Sequence, residues 1–146
     1  METLKDNSKV HICGASGEHN IVIGHFADLQ SILDAVPQPT ALLNEKYQLL
    51  LCNHFMEDML SETKELAFQK RVGDAFGCVN APKGPNGCGS SENCQFCTIQ
   101  SVLEEADLSN LKTTHDCHLT LGDIKGRFKS YMNLRVTVSP FETNGQ

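Results

Sequence analysis

Four of the seven cysteines in this 146-residue chain lie close together in the sequence. Cys78, Cys88, Cys94 and Cys97 are separated by nine, five and two residues. Thiolate sulfur is a ligand for zinc and for iron–sulfur clusters, and it is also the group that forms disulfides. The pattern is typical of a metal centre, a cluster or a redox switch.

The chain between these cysteines is rich in residues that oppose a regular helix. Proline fixes the backbone and removes an N–H donor, while glycine allows the positive φ angles of tight turns. A loop of this length inside a compact domain usually has a function. We therefore expect residues 77–98 to wrap around a ligand or a covalent link. The breakers are Pro82, Gly84, Pro85, Gly87 and Gly89.

Composition excludes several classes of protein. The net charge is −6, with 12 basic and 18 acidic residues, and scattered basic residues do not predict a nucleic-acid surface. No apolar stretch is long enough to span a membrane, and the polar start of the chain does not resemble an export signal. These features predict a cytoplasmic protein, where thiols stay reduced and a cysteine cluster indicates metal or redox chemistry.

The spacing of the four cysteines favours an iron–sulfur cluster over zinc. Structural zinc usually has two Cys-x-x-Cys pairs, whereas here only Cys94 and Cys97 form one. A larger [4Fe–4S] cluster suits the wide spacing of Cys78 and Cys88, and the backbone N–H groups near glycines can face its sulfides. Zinc, a thiol–disulfide switch and a purely structural role remain as alternatives. Thr98 after the pair, in place of histidine, argues against a c-type haem.

The other cysteines and histidines are expected to be structural. Cys52 ends an apolar strand, so we predict a buried thiol that packs as a small apolar side chain. In the sequence HDCH, His115 and Cys117 share one strand face and His118 points to the other, so the set cannot chelate together. We expect His115 to pack against the helical side of the sheet.

The first half of the chain predicts a helix followed by a hairpin. Leu29, Ile32, Leu33 and Val36 recur at helical spacing, which indicates an amphipathic helix over residues 28–36. Two short apolar strands follow, over residues 39–43 and 47–52. Asn53 then has the type and position of a helix cap.

The second half predicts a helix and two long strands. Residues 61–76 have helical propensity that Gly73 interrupts. A helix directly after Cys97 is indicated by the helical spacing of Ile99, Val102, Leu103 and Ala106. Residues 113–121 and 128–138 then alternate in polarity, as expected for antiparallel strands with one buried face.

This order of elements resembles that of a PAS sensor domain over residues 29–141. In that family an asparagine follows the second strand and opens the first helix, as Asn53 does here, and a late strand ends in a phrase similar to Val136-Thr-Val-Ser-Pro140. The resemblance implies an α+β fold with an antiparallel sheet, helices on one face and an amphipathic N-terminal helix. Residues 1–27 would be a flexible segment before a domain of residues 28–146.

Two features depart from the ordinary PAS pattern. No final strand follows Phe141, which indicates either a segment of a longer regulator or a sheet edge that a partner covers. The cysteine-rich loop resembles an insert found in some bacterial signal-transduction proteins.

The resemblance implies a sensor that detects redox state or oxygen through its four-cysteine centre. It would signal by conformational change or homodimerisation to an output domain or a partner regulator. The alternatives are a zinc-stabilised interaction module and a cofactor-free thiol switch. No phosphate loop, nucleophile elbow or other enzyme motif occurs in the sequence, so we do not expect an enzyme.

Overall fold

The computed structural model describes residues 9–14, 26–60 and 62–142. In this part of the chain it contains one five-stranded antiparallel sheet and five α-helices. An α+β fold with an antiparallel sheet is thereby confirmed. The strands are β1 (Lys9–Gly14), β2 (Ala41–Leu43), β3 (Leu49–Cys52), β4 (Thr113–Gly122) and β5 (Phe128–Glu142). The helices are α1 (Phe26–Asp34), α2 (His54–Glu57), α3 (Lys64–Ala67), α4 (Val72–Phe76) and α5 (Thr98–Ser109).

The five strands lie in the order β3-β2-β1-β5-β4. Strand β1 is central, because Ile12 pairs with Leu42 of β2 and with Ser139 of β5, both antiparallel. The sequence predicted a flexible segment over residues 1–27. For residues 9–14 this prediction is wrong, because their backbone pairs with a strand on each side. The rest of that segment before α1, residues 1–8 and 15–25, lies outside the described residues.

Helices cover both faces of the sheet. Helices α2 to α5 share one face and form the main core with residues of β2, β4 and β5. Helix α1 lies on the opposite face, where buried Leu29 and Leu33 pack against Leu42. The expectation of helices on one face thus holds for α2 to α5, and α1 packs outside them. The reason is the alternation along β2, which points Leu42 away from Ala41 and Leu43.

The short helices end where the chain returns to the sheet. Gly73 lies inside α4 and does not interrupt it, contrary to the expectation from its propensity. The break comes earlier, at Gln69, which has a φ of 62°. There the N–H of Gln69 donates to the Leu49 carbonyl at 2.7 Å, so pairing with β3 replaces the next helical turn.

An apolar cavity of about 200 Å³ lies between the sheet and helices α2, α4 and α5. Its walls include Leu43, Met56, Ala75, Ile99 and Val136. Among the described residues, no helix has both the length and the apolar character needed to cross a membrane.

Candidate four-cysteine centre

Cys78 is held between α4 and the end of β4. Gly77 ends α4 in the left-handed conformation, with a φ of 81°, and the Cys78 N–H donates to the Gly73 carbonyl at 2.7 Å. On the other side, the N–H of Val79 donates to the Thr120 carbonyl at 2.7 Å, and that of Gly122 to the Gly77 carbonyl at 2.9 Å. The first thiol is therefore attached to the sheet through the backbone.

Cys88 is held by the beginning of α4. Its N–H donates to Asp74 Oδ1 at 3.0 Å, and its carbonyl accepts a hydrogen bond from Arg71 Nη1 at 3.1 Å. Gly73 brings the helix backbone against this residue, because a methyl group there would lie only 2.7 Å from Cys88 Sγ and 3.2 Å from Cys78 Cβ. The neighbouring Gly87 has a φ of 76°, which favours glycine.

Cys94 and Cys97 lie where the loop enters α5. A short 3₁₀ helix, Glu92–Phe96, contains Cys94 and is capped by Ser91. Cys97 is the N-cap of α5, and its Sγ accepts a hydrogen bond from the Gln100 N–H at 3.5 Å. Helix α5 forms as its spacing predicts, with Ile99, Val102, Leu103 and Ala106 buried.

The four thiols line one cavity of about 310 Å³. Cys78 and Cys88 border it from the α4 side, and Cys94 and Cys97 from the α5 side. A hydrogen bond of 3.2 Å from Asn93 to Asn80 joins the two halves of the loop beside it. The fold thus gathers the four predicted residues around a common space. Other residues that line it include Tyr47, Arg71, Asn80, Asn93, Phe96 and His118.

The described thiols are not positioned as ligands of one metal ion. Around a tetrahedral zinc ion with Zn–S bonds of about 2.3 Å, the sulfurs lie about 3.8 Å apart. Within the described residues, no group of three or more His, Cys, Asp or Glu side chains is placed to hold one metal ion.

The environment of the Cys78 and Cys88 thiols keeps them protonated at neutral pH. Burial raises the pKa of Cys88 to about 11, against the opposing effects of the Gly73 N–H and the Arg71 charge. Burial also raises the pKa of Cys78, although the N–H groups of Asn80 and Ala81 act in the other direction. A ligand that binds these sulfurs as thiolates must displace their protons.

Backbone N–H groups favour the charged form of three of the sulfurs. The Gln100 N–H donates to Cys97 Sγ at 3.5 Å, the Gly73 N–H acts to lower the pKa of Cys88, and those of Asn80 and Ala81 act to lower the pKa of Cys78. Such bonds stabilise negative charge on sulfur and are part of the surroundings that tune a metal–thiolate centre. The cavity therefore combines sulfur ligands with preformed donors for their charged state.

The chain matches no protein-family model, no curated protein and no solved structure. Its function must therefore be inferred from the residues themselves.

The remaining predictions concern Cys52 and the HDCH sequence in β4. Cys52 is buried, as expected. Cys117 is buried as well, and its Sγ donates to the Thr98 carbonyl at 3.6 Å. His115 faces α5 and lies 2.6 Å from Glu105, on the helical side as predicted. His118 is exposed, its Nδ1 lies 3.1 Å from Asn133 Oδ1, and its backbone N–H donates to the Thr98 hydroxyl at 2.9 Å beside the thiol cavity.

Sequence reasoning did not identify the residues at the start of α4 that hold Cys88. Arg71, Gly73 and Asp74 lie 14 to 17 residues before it, in a segment interpreted only as interrupted helix. The sequence Arg71-Val-Gly-Asp74, just before the cysteine loop, was the one available signal. This signal is not specific, because the path of the loop decides which residues lie beside Cys88.

Proposed function

We propose that this domain is a non-enzymatic sensor of redox state or oxygen, in which four cysteines bind an iron–sulfur cluster, with [4Fe–4S] favoured. The ligands would be Cys78, Cys88, Cys94 and Cys97. The observation that carries the proposal is that these thiols line one cavity from two sides. When bound, the cluster supplies a one-electron redox centre whose potential depends on charge, hydrogen bonds to sulfur and solvent exposure.

The donor set supports a cluster over a single ion. The four cysteines line a space of about 310 Å³, and only Cys94 and Cys97 form the Cys-x-x-Cys pair typical of structural zinc. The Gln100 N–H donates to Cys97 Sγ at 3.5 Å, and nearby backbone N–H groups act to lower the pKa values of Cys78 and Cys88.

Helix α5 offers a short physical route from the centre to the sheet. Cys97 caps the helix, and Thr98 follows it directly. The Thr98 hydroxyl accepts a hydrogen bond from the His118 N–H of β4 at 2.9 Å, and Val102, one turn further on, is fully buried. A change in the position of Cys97 would move the start of α5 and so change the contacts between this helix and β4.

The fold is compatible with the PAS resemblance that motivated a signalling role. The sheet has the five strands that the resemblance implies, with β1 as the fifth strand in place of one after Phe141. We propose that the domain signals by conformational change or homodimerisation to an output domain or partner regulator. Light scattering of the oxidised and reduced protein tests this, and a strict monomer at high concentration in both states contradicts dimerisation.

The cofactor is tested by purifying the protein without oxygen and measuring iron, acid-labile sulfide, zinc and the visible spectrum. We expect iron and sulfide near four each per chain. Serine substitutions at each of the four cysteines should reduce the iron and sulfide bound per folded chain, whereas Cys52→Ser, a change at a buried thiol outside the cavity, should leave both amounts unchanged. One colourless zinc per chain would support the zinc-stabilised module. Metal-free protein with four freely alkylated thiols would support the thiol switch.

A further inference from the structure

Arg71 places a positive charge at the thiol cavity. Its side chain lines the cavity, its guanidinium lies 5.8 Å from the centre of the Tyr47 ring, and Nη1 donates to the Cys88 carbonyl. Gly89 leaves room for it, because a methyl group at that position would overlap with Nη1. The guanidinium is therefore held in place by the cysteine loop and the Tyr47 ring.

This guanidinium has an unused donor. Arg71 Nε is buried and has no hydrogen-bond partner among the described residues. A buried donor without an acceptor is costly, and arginine has five N–H donors, so an acceptor from the cavity would satisfy it. Of the described side chains that line the cavity, Arg71 is also the only one with a permanent charge. The occupant should therefore carry negative charge and acceptor atoms.

We propose that Arg71 donates hydrogen bonds to an anionic sulfur of the centre and raises its reduction potential. This inference rests on the proposed function. Reduction adds one electron to the cluster, breaks no bond and increases its negative charge by one, so a nearby fixed cation stabilises the reduced form more than the oxidised form. Arg71 would thus set the redox poise at which the sensor responds.

The test compares Arg71→Gln, Arg71→Lys and the control Lys70→Gln in anaerobically purified protein. Lys70 is the adjacent residue, pairs with Glu62 at 2.6 Å and does not line the cavity, so its variant loses the same charge elsewhere. Each midpoint potential is measured by dithionite titration with mediators. We expect Arg71→Gln to lower the midpoint potential by at least about 59 mV, which corresponds to a tenfold change in the equilibrium constant for one-electron reduction. Arg71→Lys and Lys70→Gln should shift the midpoint potential much less.

The outcomes separate the two proposals. Cluster-loaded Arg71→Gln with the wild-type potential overturns the role of Arg71 and leaves the cluster standing. Wild-type protein without iron and sulfide overturns both. Gly89→Ala replaces Arg71→Gln in the test if circular dichroism shows that Arg71→Gln does not fold. Gly89→Ala displaces the Arg71 guanidinium without removing its charge. A wild-type midpoint potential in Gly89→Ala also overturns the proposed role of Arg71. Loading lost in folded Arg71→Gln and retained in Arg71→Lys supports it.

Discussion

Asn53 joins three elements through one buried side chain. Its Oδ1 accepts hydrogen bonds from the N–H groups of Thr40 and Met56, at 3.1 and 3.0 Å. Its Nδ2 lies within hydrogen-bond distance of the carbonyls of Leu33, Val36 and Gln38. The predicted cap of α2 therefore also fastens the end of α1 to the start of β2.

Asn53→Ala should lower the free energy of unfolding by about 2 to 4 kcal/mol. It removes a helix cap, worth about 1 kcal/mol, and leaves buried backbone groups without partners, at about 1–3 kcal/mol. The matched control is Thr63→Ala, which removes the exposed cap of α3 and should cost about 1 kcal/mol or less. Urea unfolding measures both, and equal losses would contradict the role of Asn53.

Cys52 should make stability depend on alkaline pH. Burial raises the pKa of its thiol from 9.0 to about 11, so the folded state holds the proton more tightly than the unfolded state. This stabilisation is complete below pH 9. As the pH rises to 11, the free energy of unfolding should fall by roughly 2 kcal/mol. In Cys52→Ala the fall in unfolding free energy between pH 8 and 11 should be smaller. An unchanged fall would show that Cys52 does not titrate as expected.

At the scale of elements, α4 and the cysteine loop form one unit. The helix has only five residues. Arg71 and Asp74 are hydrogen-bonded to Cys88, and Gly73 packs closely against it. So short a helix is not stable by itself, and its contacts with the loop and core must hold it.

Gly73→Ala should displace Cys88 and reduce cofactor loading. By propensity alone, alanine would stabilise a helix by about 1 kcal/mol, but the added methyl group would lie 2.7 Å from Cys88 Sγ. Iron and sulfide analysis measures the loss. As a control, Gly126→Ala strains a turn with a φ of 75° but reaches no cysteine, so it should cost stability and not loading. Full loading of Gly73→Ala would contradict this view of α4.

Removal of the cofactor should loosen the loop and leave the sheet intact. Residues 77–97 have few buried apolar side chains, whereas β4 and β5 pair over ten positions. Hydrogen exchange after chelation should therefore rise in the loop and the first turn of α5. Exchange that rises equally in β4 and β5 would mean that the centre holds the whole domain together.

At the scale of the whole molecule, the central strand comes from the start of the chain. Because β1 pairs with both β2 and β5, its loss would leave a gap in the middle of the sheet with unpaired N–H and C=O groups on each side. Residues far apart in the sequence thus depend on a six-residue strand.

Deletion of residues 1–14 should strongly lower the melting temperature or cause association through the exposed strands. Deletion of residues 143–146, which lie beyond β5, is the control and should change little. Thermal melts and light scattering report the two effects. A truncated protein with wild-type stability and mass would contradict a central role for β1.

Local patterns determined a large part of this protein. The helical spacing after Cys97, the alternation along β4 and β5, the cap at Asn53 and the burial of Cys52 were all predictable, because each depends on residues close in the sequence. Such patterns define which side of an element is buried.

The tertiary structure decided which elements meet. The position of β1 between β2 and β5, and the contacts of Arg71, Gly73 and Asp74 with Cys88, depend on the path of the intervening chain. Backbone pairing can join many segments equally well, and a Gly/Pro loop can follow many paths. Only packing of the complete core selects one of them, and that selection gathers the four thiols around a single cavity.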